Sequence, residues 1–453
     1  MDAGCPGCVA LGRRVAELEA AVARLTRDLE EAIRASKRQA APFSKGPPKS
    51  KPKKPGRKPG EDYGTKAHRQ PPPPENIGEV YEAPLPDGCP DCGGAIDETE
   101  VRQQFQTEII RQALHRQFNV HIGTCRACQK RVQGRHPLQT SDALGAAAAQ
   151  LGPDAQAAAV ELNKNAGLSH GKVVRCLENL FGISLSRGGS AQIILRVAQR
   201  CEPVYATIRT CVRSAPWVVP DETGWHVAGD LAWLHGFVTP DATAYVIDST
   251  RGGAVSEALL GRDYAGIMIH DGWSPYNQFA NAAHQQCLRH FLNRCDQMHG
   301  TATRGSVRFP RAIGRILRQA LKLRDRSVAG AVSDHGLKVA RGHLERDFFD
   351  AILGRKIDPA NERFAQHLRN HCGEIFTFLD HPGLDATNWR AELAMRFGVI
   401  LRKVWGGNRT WAGARAQSVL MSVWRTCWQR GRLALDFVSQ FLRNGAIPLP
   451  LPP

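Results

Sequence analysis

Residues 217–275, WVVPDETGWHVAGDLAWLHGFVTPDATAYVIDSTRGGAVSEALLGRDYAGIMIHDGWSP, decide the fold. Apolar-rich runs at Trp217–Val219, Leu231–Val238 and Ala244–Ile247 are separated by short turns of Gly, Pro and Asp, as in an antiparallel meander. A helix-like piece, Val255–Leu260, follows, and then a fourth apolar run, Ile267–Ile269. The first and fourth runs each end in an aspartate, Asp221 and Asp271. In a β-β-β-α-β order the first and fourth strands lie side by side, which brings these aspartates together. Carboxylates at the ends of buried strands are costly unless something pairs them, and hard oxygen ligands suit Mg²⁺ or Mn²⁺. Turn-forming aspartates at strand ends are the plain alternative.

That order is the arrangement of an RNase H-like sheet, in which carboxylates hold two metals about 4 Å apart for in-line phosphoryl transfer. A third carboxylate from a later helix completes such a site, and the best candidate is Glu392 in DATNWRAELAMRFGVILRK. Thr387 or Asn388 can cap this helix, and Leu393, Phe397 and Leu401 recur at helical spacing. Arg396, four residues on, shares a face with Glu392, where it meets a phosphate or makes an ordinary surface ion pair.

PDETGW around Asp221, HDGWSPYN around Asp271, CLRHF after it, TNWRAELAMR around Glu392, GGNRTWAGARA and SVWRTC together resemble the IS66-type transposases, a group of bacterial DDE transposases. The resemblance runs from the N-terminal helix to about residue 432. It implies that Asp221, Asp271 and Glu392 are a metal-binding catalytic triad, and that the partners are transposon-end and target DNA, with accessory proteins in some systems. It also implies a bacterial, nucleoid-associated setting. One position departs: the family tends to carry Asn-Asn where this chain has Asn388–Trp389.

Composition agrees with a polyanionic partner, since the formal net charge is +17. No apolar run is long enough to span a membrane, and the N-terminus lacks a signal-peptide pattern, which predicts a soluble cytoplasmic protein. Six of the 13 cysteines fall in C-x2-C pairs, and the rest lie in apolar segments, which fits a reducing compartment.

Residues 1–36 read as a coiled-coil helix, with Leu11, Val15, Leu18, Val22, Leu25 and Leu29 in steps of four and three, so residues 9–35 are a homodimerisation device. Cys5 and Cys8 precede it and could share zinc across a dimer. Residues 37–80 are a basic, Pro-rich disordered linker. Its residues 37–74 hold 11 Lys/Arg against two acids, and Lys53, Lys54, Arg57 and Lys58 are candidate phosphate contacts. Residues 81–136 are a zinc ribbon, in which Cys89, Cys92, Cys125 and Cys128 take a structural Zn²⁺ and VRQQFQTEIIRQALHRQFNVHIGT forms strands between the pairs.

Residues 137–212 are a helical, HTH-like domain with Arg187, Gln192 and Arg196 as candidate DNA contacts. The fold class is α/β. An RNase H-like catalytic domain with a mixed five-stranded sheet spans 213–302 and 384–432, interrupted by an all-α insertion at 303–383 and followed by a tail at 433–453. Within it, HQQCLRHFLNRCDQMHG reads as the helix after the fourth strand. Past Glu392, Lys403, Arg409 and Arg415 lie in or beside a glycine-rich stretch suited to gripping a nucleic-acid strand. The reading is a transposase that cuts DNA at element ends and joins the freed 3′-hydroxyl to target DNA. Its alternatives are a non-enzymatic zinc-containing DNA binder and an RNase H-like junction or repair nuclease.

Overall fold

The structure, a computed structural model, describes residues 71–107, 109, 112–140, 150–301 and 304–445, with several positions between 14 and 25. The coiled-coil reading lies mostly outside the described residues. Cys5, Cys8, the basic stretch with Lys53, Lys54, Arg57 and Lys58, and residues 446–453 lie wholly outside them. Two compact units divide the chain, Met1–Ile110 and Arg111–Pro453.

In the first unit, the described positions between 14 and 25 are helical, and Val15, Leu18, Val22 and Leu25 are exposed. Around Cys89 the backbone folds into a tight knuckle. The Gly93 amide donates to the Cys89 carbonyl at 2.7 Å and the Cys89 amide to the Gly94 carbonyl at 2.9 Å. Gly93 sits at φ +73°, where only glycine is unstrained. Hydrogen bonds from the Asp91 and Cys92 amides hold the Cys89 thiol below its usual range.

The second unit opens with a hairpin, β1 (Ile122–Thr124) against β2 (Arg131–Gln133). A second knuckle joins them: the Gln129 amide donates to the Cys125 carbonyl, and the Cys125 amide to the Lys130 carbonyl, both at 2.9 Å. The Cys128 and Ala127 amides lower the Cys125 thiol as well. The strands expected between the cysteine pairs reduce to Ile122–Thr124 among the described residues. The rest of that stretch alternates Gln, Arg and His with single apolar residues, and Val101, Phe105, Ile109 and Leu114 are exposed there.

Helices α1 (Pro153–Val160), α2 (His170–Phe181), α3 (Arg187–Arg200) and α4 (Glu202–Ser214) lead into the sheet. Ser169 and Ser186 cap α2 and α3 by accepting amides three residues on. Strands β3 (Trp217–Val227), β4 (Asp230–Val238), β5 (Thr243–Asp248), β6 (Ile267–His270) and β7 (Ala283–Gln286) form one mixed sheet in the order β5-β4-β3-β6-β7. β3, β4 and β5 are antiparallel, while β6 runs parallel to β3, and β7 to β6. Helix α5 (Gly253–Leu260) carries the chain across from β5 to β6.

Beyond the sheet come α6 (Leu288–Thr301), α7 (Arg308–Val328), α8 (Asp334–Ile352) and α9 (Pro359–Asn370). Then follow α10 (Trp389–Trp405), α11 (Trp411–Gln429) and α12 (Ala434–Asn444). The sheet has a core on each face. One gathers α1–α5, α11 and α12 around Val218, Phe237, Ala244 and Met268. The other gathers α6–α10 around Val219, Leu234, Tyr245 and Ile269. The N-terminal helices and the inserted helices therefore share cores with the sheet rather than standing apart from it.

Three sequence expectations need correction. β3 does not end at Asp221 but continues to Val227, because Ala228 and Gly229, at φ +57° and +97°, make a two-residue hairpin turn. Residues 283–286 are a strand, and the helix begins only at Leu288. Part of the tail is α12, since Phe437, Val438, Phe441 and Leu442 bury one face against the first core.

The exposed edge of β5 is covered in an unusual way. The hydroxyls of Ser418, Ser422 and Thr426, one turn apart along α11, accept the Ile247, Tyr245 and Thr243 amides at 3.0, 2.8 and 3.1 Å. Those amides alternate along the strand and point outward, so a helical period of four meets a strand period of two. An edge that could pair with another chain is thereby closed. In the first core lies one buried cation, Lys164, which donates to Gln417 at 2.5 Å and sits 5.1 Å from the Trp405 ring. Burial pushes its ammonium down to about 7.

Candidate active site

Side chains alternate across a strand. Val219, Trp225 and Val227 belong to the core beneath α10, so Asp221 and Thr223 face the same way. In the β3–β6 pair, Trp217 lies opposite Ile267 and Val218 opposite Met268. From that pair both strands run on in the same direction, to Asp221 within β3 and to Asp271 in the loop just after β6.

Helix α10 brings the third carboxylate to this face. Its buried side is Ala391, Ala394, Met395, Gly398 and Leu401. The sequence stripe of Leu393, Phe397 and Leu401 is thus corrected, for Leu393 is exposed. The small residues allow a close approach. A Cβ on Gly236 would stand 2.6 Å from Met395 Sδ, and one on Gly398 2.3 Å from Leu234 Cδ2. Gly236 pairs with Asp221 across β3–β4, so Met395 sits beside Asp221 and Glu392 lies one turn earlier. Tyr245 Oη donates to the Ala394 carbonyl at 2.8 Å, and Arg402 donates to the Gly224 carbonyl, fixing the helix along its length.

The entry to α10 is tied directly to the exit from β6 and β7. Buried Cys287 donates its thiol to Asn388 Oδ1 at 3.1 Å, and the Leu288 amide donates to the Ala386 carbonyl at 2.9 Å. The Cys287 amide in turn donates to the His270 carbonyl at 2.7 Å. Asn388 therefore precedes the helix without capping it through its side chain. Burial raises the Cys287 thiol, and the charge of Glu392 pushes the same way.

Electrostatics separate the two adjacent acids of PDETGW. Glu222 faces the opposite side of β3 and is neutralised there. Its carboxylate accepts Arg251 Nε at 3.0 Å and Nη2 at 2.6 Å, and Tyr276 Oη at 2.8 Å. The Arg251 guanidinium also lies over the rings of Trp233 and Trp273, at 5.1 and 4.7 Å. Asp221 has no such partner among the described residues, and its Oδ1 accepts the Glu222 amide at 2.9 Å. Burial, and then the negative charges of Glu222, Asp271 and Glu392, push its carboxyl up to about 7. Asp221 thus feels the charges of Asp271 and Glu392. Nothing in the sequence marked Arg251 or Tyr276 as partners of this strand.

Asp271 is exposed in the loop after β6, and its Oδ1 accepts the Trp273 amide at 3.0 Å. A buried chain of imidazoles supports that loop. The Gly272 amide donates to His270 Nδ1 at 3.1 Å, so His270 Nε2 carries the proton toward His284 Nδ1 at 2.9 Å. His284 Nε2 then donates to the Phe279 carbonyl at 3.2 Å. Burial, with His284 and His371 nearby, pushes His270 down to about 3, which keeps it neutral. Gly272 is required twice: its φ is +88°, and a Cβ would meet Gln286 Oε1 at 2.7 Å.

The carboxylates of Asp221 and Asp271 accept backbone amides and present the hard oxygen donors that Mg²⁺ or Mn²⁺ takes. As placed, no three His, Cys, Asp or Glu side chains among the described residues stand close enough to hold an ion. Glu392 is an exposed side chain on α10.

The remaining candidates are spread over two regions. Arg396 and Lys403 are exposed on α10, and Arg409 is exposed in the turn after it. Arg187 and Arg196 are exposed on α3, whose Ile193, Ile194 and Val197 are buried. Arg415, by contrast, is occupied structurally: it makes two hydrogen bonds to Glu202, at 2.8 and 2.6 Å, and covers the Tyr205 ring. Trp405 is held by the Gly167 carbonyl at 2.9 Å. No helix among the described residues is long and apolar enough to cross a membrane.

No curated protein matches the chain. The family model described as the transposase IS66 family matches residues 149–416, from just before α1 into α11 and across all three carboxylates. That match covers more than half of the sequence, and the chain belongs to the IS66 family of transposases.

Proposed function

We propose that this chain is a metal-dependent DDE transposase with an RNase H-like catalytic core, acting on DNA at the ends of an insertion sequence. The observation that carries this is the family match over residues 149–416, beside a sheet in which β3 and β6 run parallel toward Asp221 and Asp271 and a helix, α10, that carries Glu392. Asp221 and Asp271 would hold Mg²⁺ or Mn²⁺ between them, with Glu392 closing the set from α10. When bound, such ions activate a water or a 3′-hydroxyl and stabilise the leaving oxygen of a phosphodiester.

The chain's own residues supply placement and charge. Gly272 and the imidazole chain from His270 fix the loop that presents Asp271. Arg251 and Tyr276 hold Glu222 away from the reacting face, leaving Asp221 as the strand's ionisable ligand. Arg396, Lys403 and Arg409 would line the path of the DNA backbone beyond Glu392. Structural Zn²⁺ on the cysteines of the two C-x2-C pairs is part of the same proposal, supported by their spacing in the sequence alone.

The test is a strand-cutting and strand-joining assay on DNA carrying the element's ends. Nicking that requires Mg²⁺ or Mn²⁺, followed by joining of the 3′ end to a second duplex, is the expected result. Binding without cutting under every metal condition would support a DNA-binding protein instead. Cutting of branched DNA without joining would support a junction nuclease. Atomic absorption on the same preparation should find one zinc per chain, lost in Cys125→Ser/Cys128→Ser.

A further inference from the structure

At the entry to α10, the helix that carries Glu392, lies a cleft of about 440 Å³ that the proposed chemistry does not use. Trp389, Arg289, Arg324, Leu292, Leu384 and Asp385 line it. We infer that this cleft takes a single unpaired nucleotide of the DNA strand, with its base on the Trp389 indole and its phosphate on Arg289. The inference rests on reading DNA as the substrate, and it adds a subsite to that reading.

Position is the first argument. Trp389 opens α10 and stands three residues before Glu392, while Arg289 follows Cys287 at the start of α6. The Cys287–Asn388 and Leu288–Ala386 hydrogen bonds join these two segments. The cleft therefore adjoins the place where the start of α6 and the entry to the Glu392 helix are tied together.

Preorganisation is the second. Trp389 is 46% exposed, an unusual position for an indole. It is nonetheless held in place. The Arg390 guanidinium lies 4.9 Å from its ring and 5.4 Å from that of Trp217, and Arg390 is itself ion-paired to Asp385. An aromatic face braced on one side is a stacking platform whose ordering cost is already met by the fold.

Chemistry and size are the third. Leu292 and Leu384 give apolar walls for a base edge. Arg289 is exposed and makes no ion pair among the described residues, and Arg324 pairs only with its neighbour Asp325. Together they make a cationic mouth over an apolar floor. The volume lies in the range of small-ligand sites, which admits one nucleotide and excludes a duplex. Pulling a base from the stack is least costly where it is already unpaired, which is why the occupant is an unpaired nucleotide.

The test uses the full chain in EDTA, so it does not depend on cutting. The probe is a DNA duplex with one bulged 2-aminopurine, compared with the same duplex fully paired. The wild type should quench the bulged probe and bind it about tenfold more tightly than the paired one. Trp389→Ala should lose both the quenching and the preference, Trp389→Phe should restore much of each, and Arg289→Glu should weaken bulge binding. Trp428→Ala, an exposed indole on α11, should change nothing.

Unaltered quenching in Trp389→Ala with wild-type affinity would overturn the inference. So would equal affinity for bulged and paired probes, a result that leaves DNA binding itself intact. Displacement of the probe by equimolar thymidine monophosphate would overturn the strand assignment in favour of a free nucleotide. Melting curves for Trp389→Ala should match the wild type, because the side chain is half out of the protein.

Discussion

Asp221→Asn is expected to lower metal-dependent strand cleavage by at least about 10³-fold while making the metal-free protein more stable at neutral pH. The two effects have one origin. The carboxyl of Asp221 stands near 7 rather than at its ordinary 3.8 because burial and three neighbouring acids oppose its charge. The folded state therefore holds a proton that the unfolded chain has released. Its stability falls as pH rises from about 4 through 7, by an amount on the order of a few kcal/mol.

Asparagine keeps the shape, removes the charge, and should flatten that slope. Thermal melts of the two proteins in EDTA at pH 5 and pH 8 measure it. The stabilising increment from Mg²⁺ should also grow between pH 6 and pH 8 in the wild type, since protons and metal compete for the same oxygens. An Asp221→Asn protein that melts lower than the wild type at pH 8 would mean that the side chain serves packing and not charge.

The second large effect is expected at Gly407. Where the chain leaves α10 it returns to the end of β3. The Asn408 amide donates to the His226 carbonyl at 2.9 Å, the Ala228 amide to the Asn408 carbonyl at 2.8 Å, and Trp225 Nε1 to Asn408 Oδ1 at 2.8 Å. Gly407 sits inside this turn at φ +117°, and a Cβ would stand 2.3 Å from the His226 carbonyl oxygen. That neighbour is backbone and cannot rotate aside.

Gly407→Ala should cost about 3 kcal/mol, combining left-handed strain with displacement of a packed segment. For a unit of this size that lowers Tm by roughly 4 °C. The same turn anchors the C-terminal end of α10, so cleavage should fall with it even below the melting transition. Gly406→Ala, at φ +79° but with open space around it, should cost only the strain. Comparing the two melts separates crowding from conformation.

Much of the sheet was legible because its signals are local. The meander shows in apolar runs broken by turn residues, and the chain order alone sets the first strand beside the fourth, as β3 lies beside β6. Other features were hidden for identifiable reasons. The β3–β4 hairpin turns on Ala228–Gly229, which lacks the Asn-Gly or Asp-Gly signature of such loops.

β7 was hidden because its sequence, AHQQ, is polar. Gln285 is fully buried, yet it donates to the Ile375 carbonyl at 3.1 Å and accepts the Phe378 amide at 2.8 Å. A buried polar strand whose partners lie some ninety residues away has no local pattern to read. The face of α10 was misread because its contact with the sheet uses Ala391, Ala394 and Gly398, while larger Leu393 faces outward. Close helix–sheet approach favours small residues, the reverse of an apolar stripe.

The sequence reading took Asp221 of PDETGW as the ligand, but it held no sign that Arg251 and Tyr276 engage the neighbouring Glu222.

The most direct test of the central claim is the anomalous scattering of Mn²⁺ in crystals of this protein soaked with that ion. The account predicts a peak about 2.1 Å from carboxylate oxygens of both Asp221 and Asp271, with Glu392 turned toward it. A peak bound elsewhere, with the Asp221 and Asp271 carboxylates left bare at saturating Mn²⁺, would contradict it.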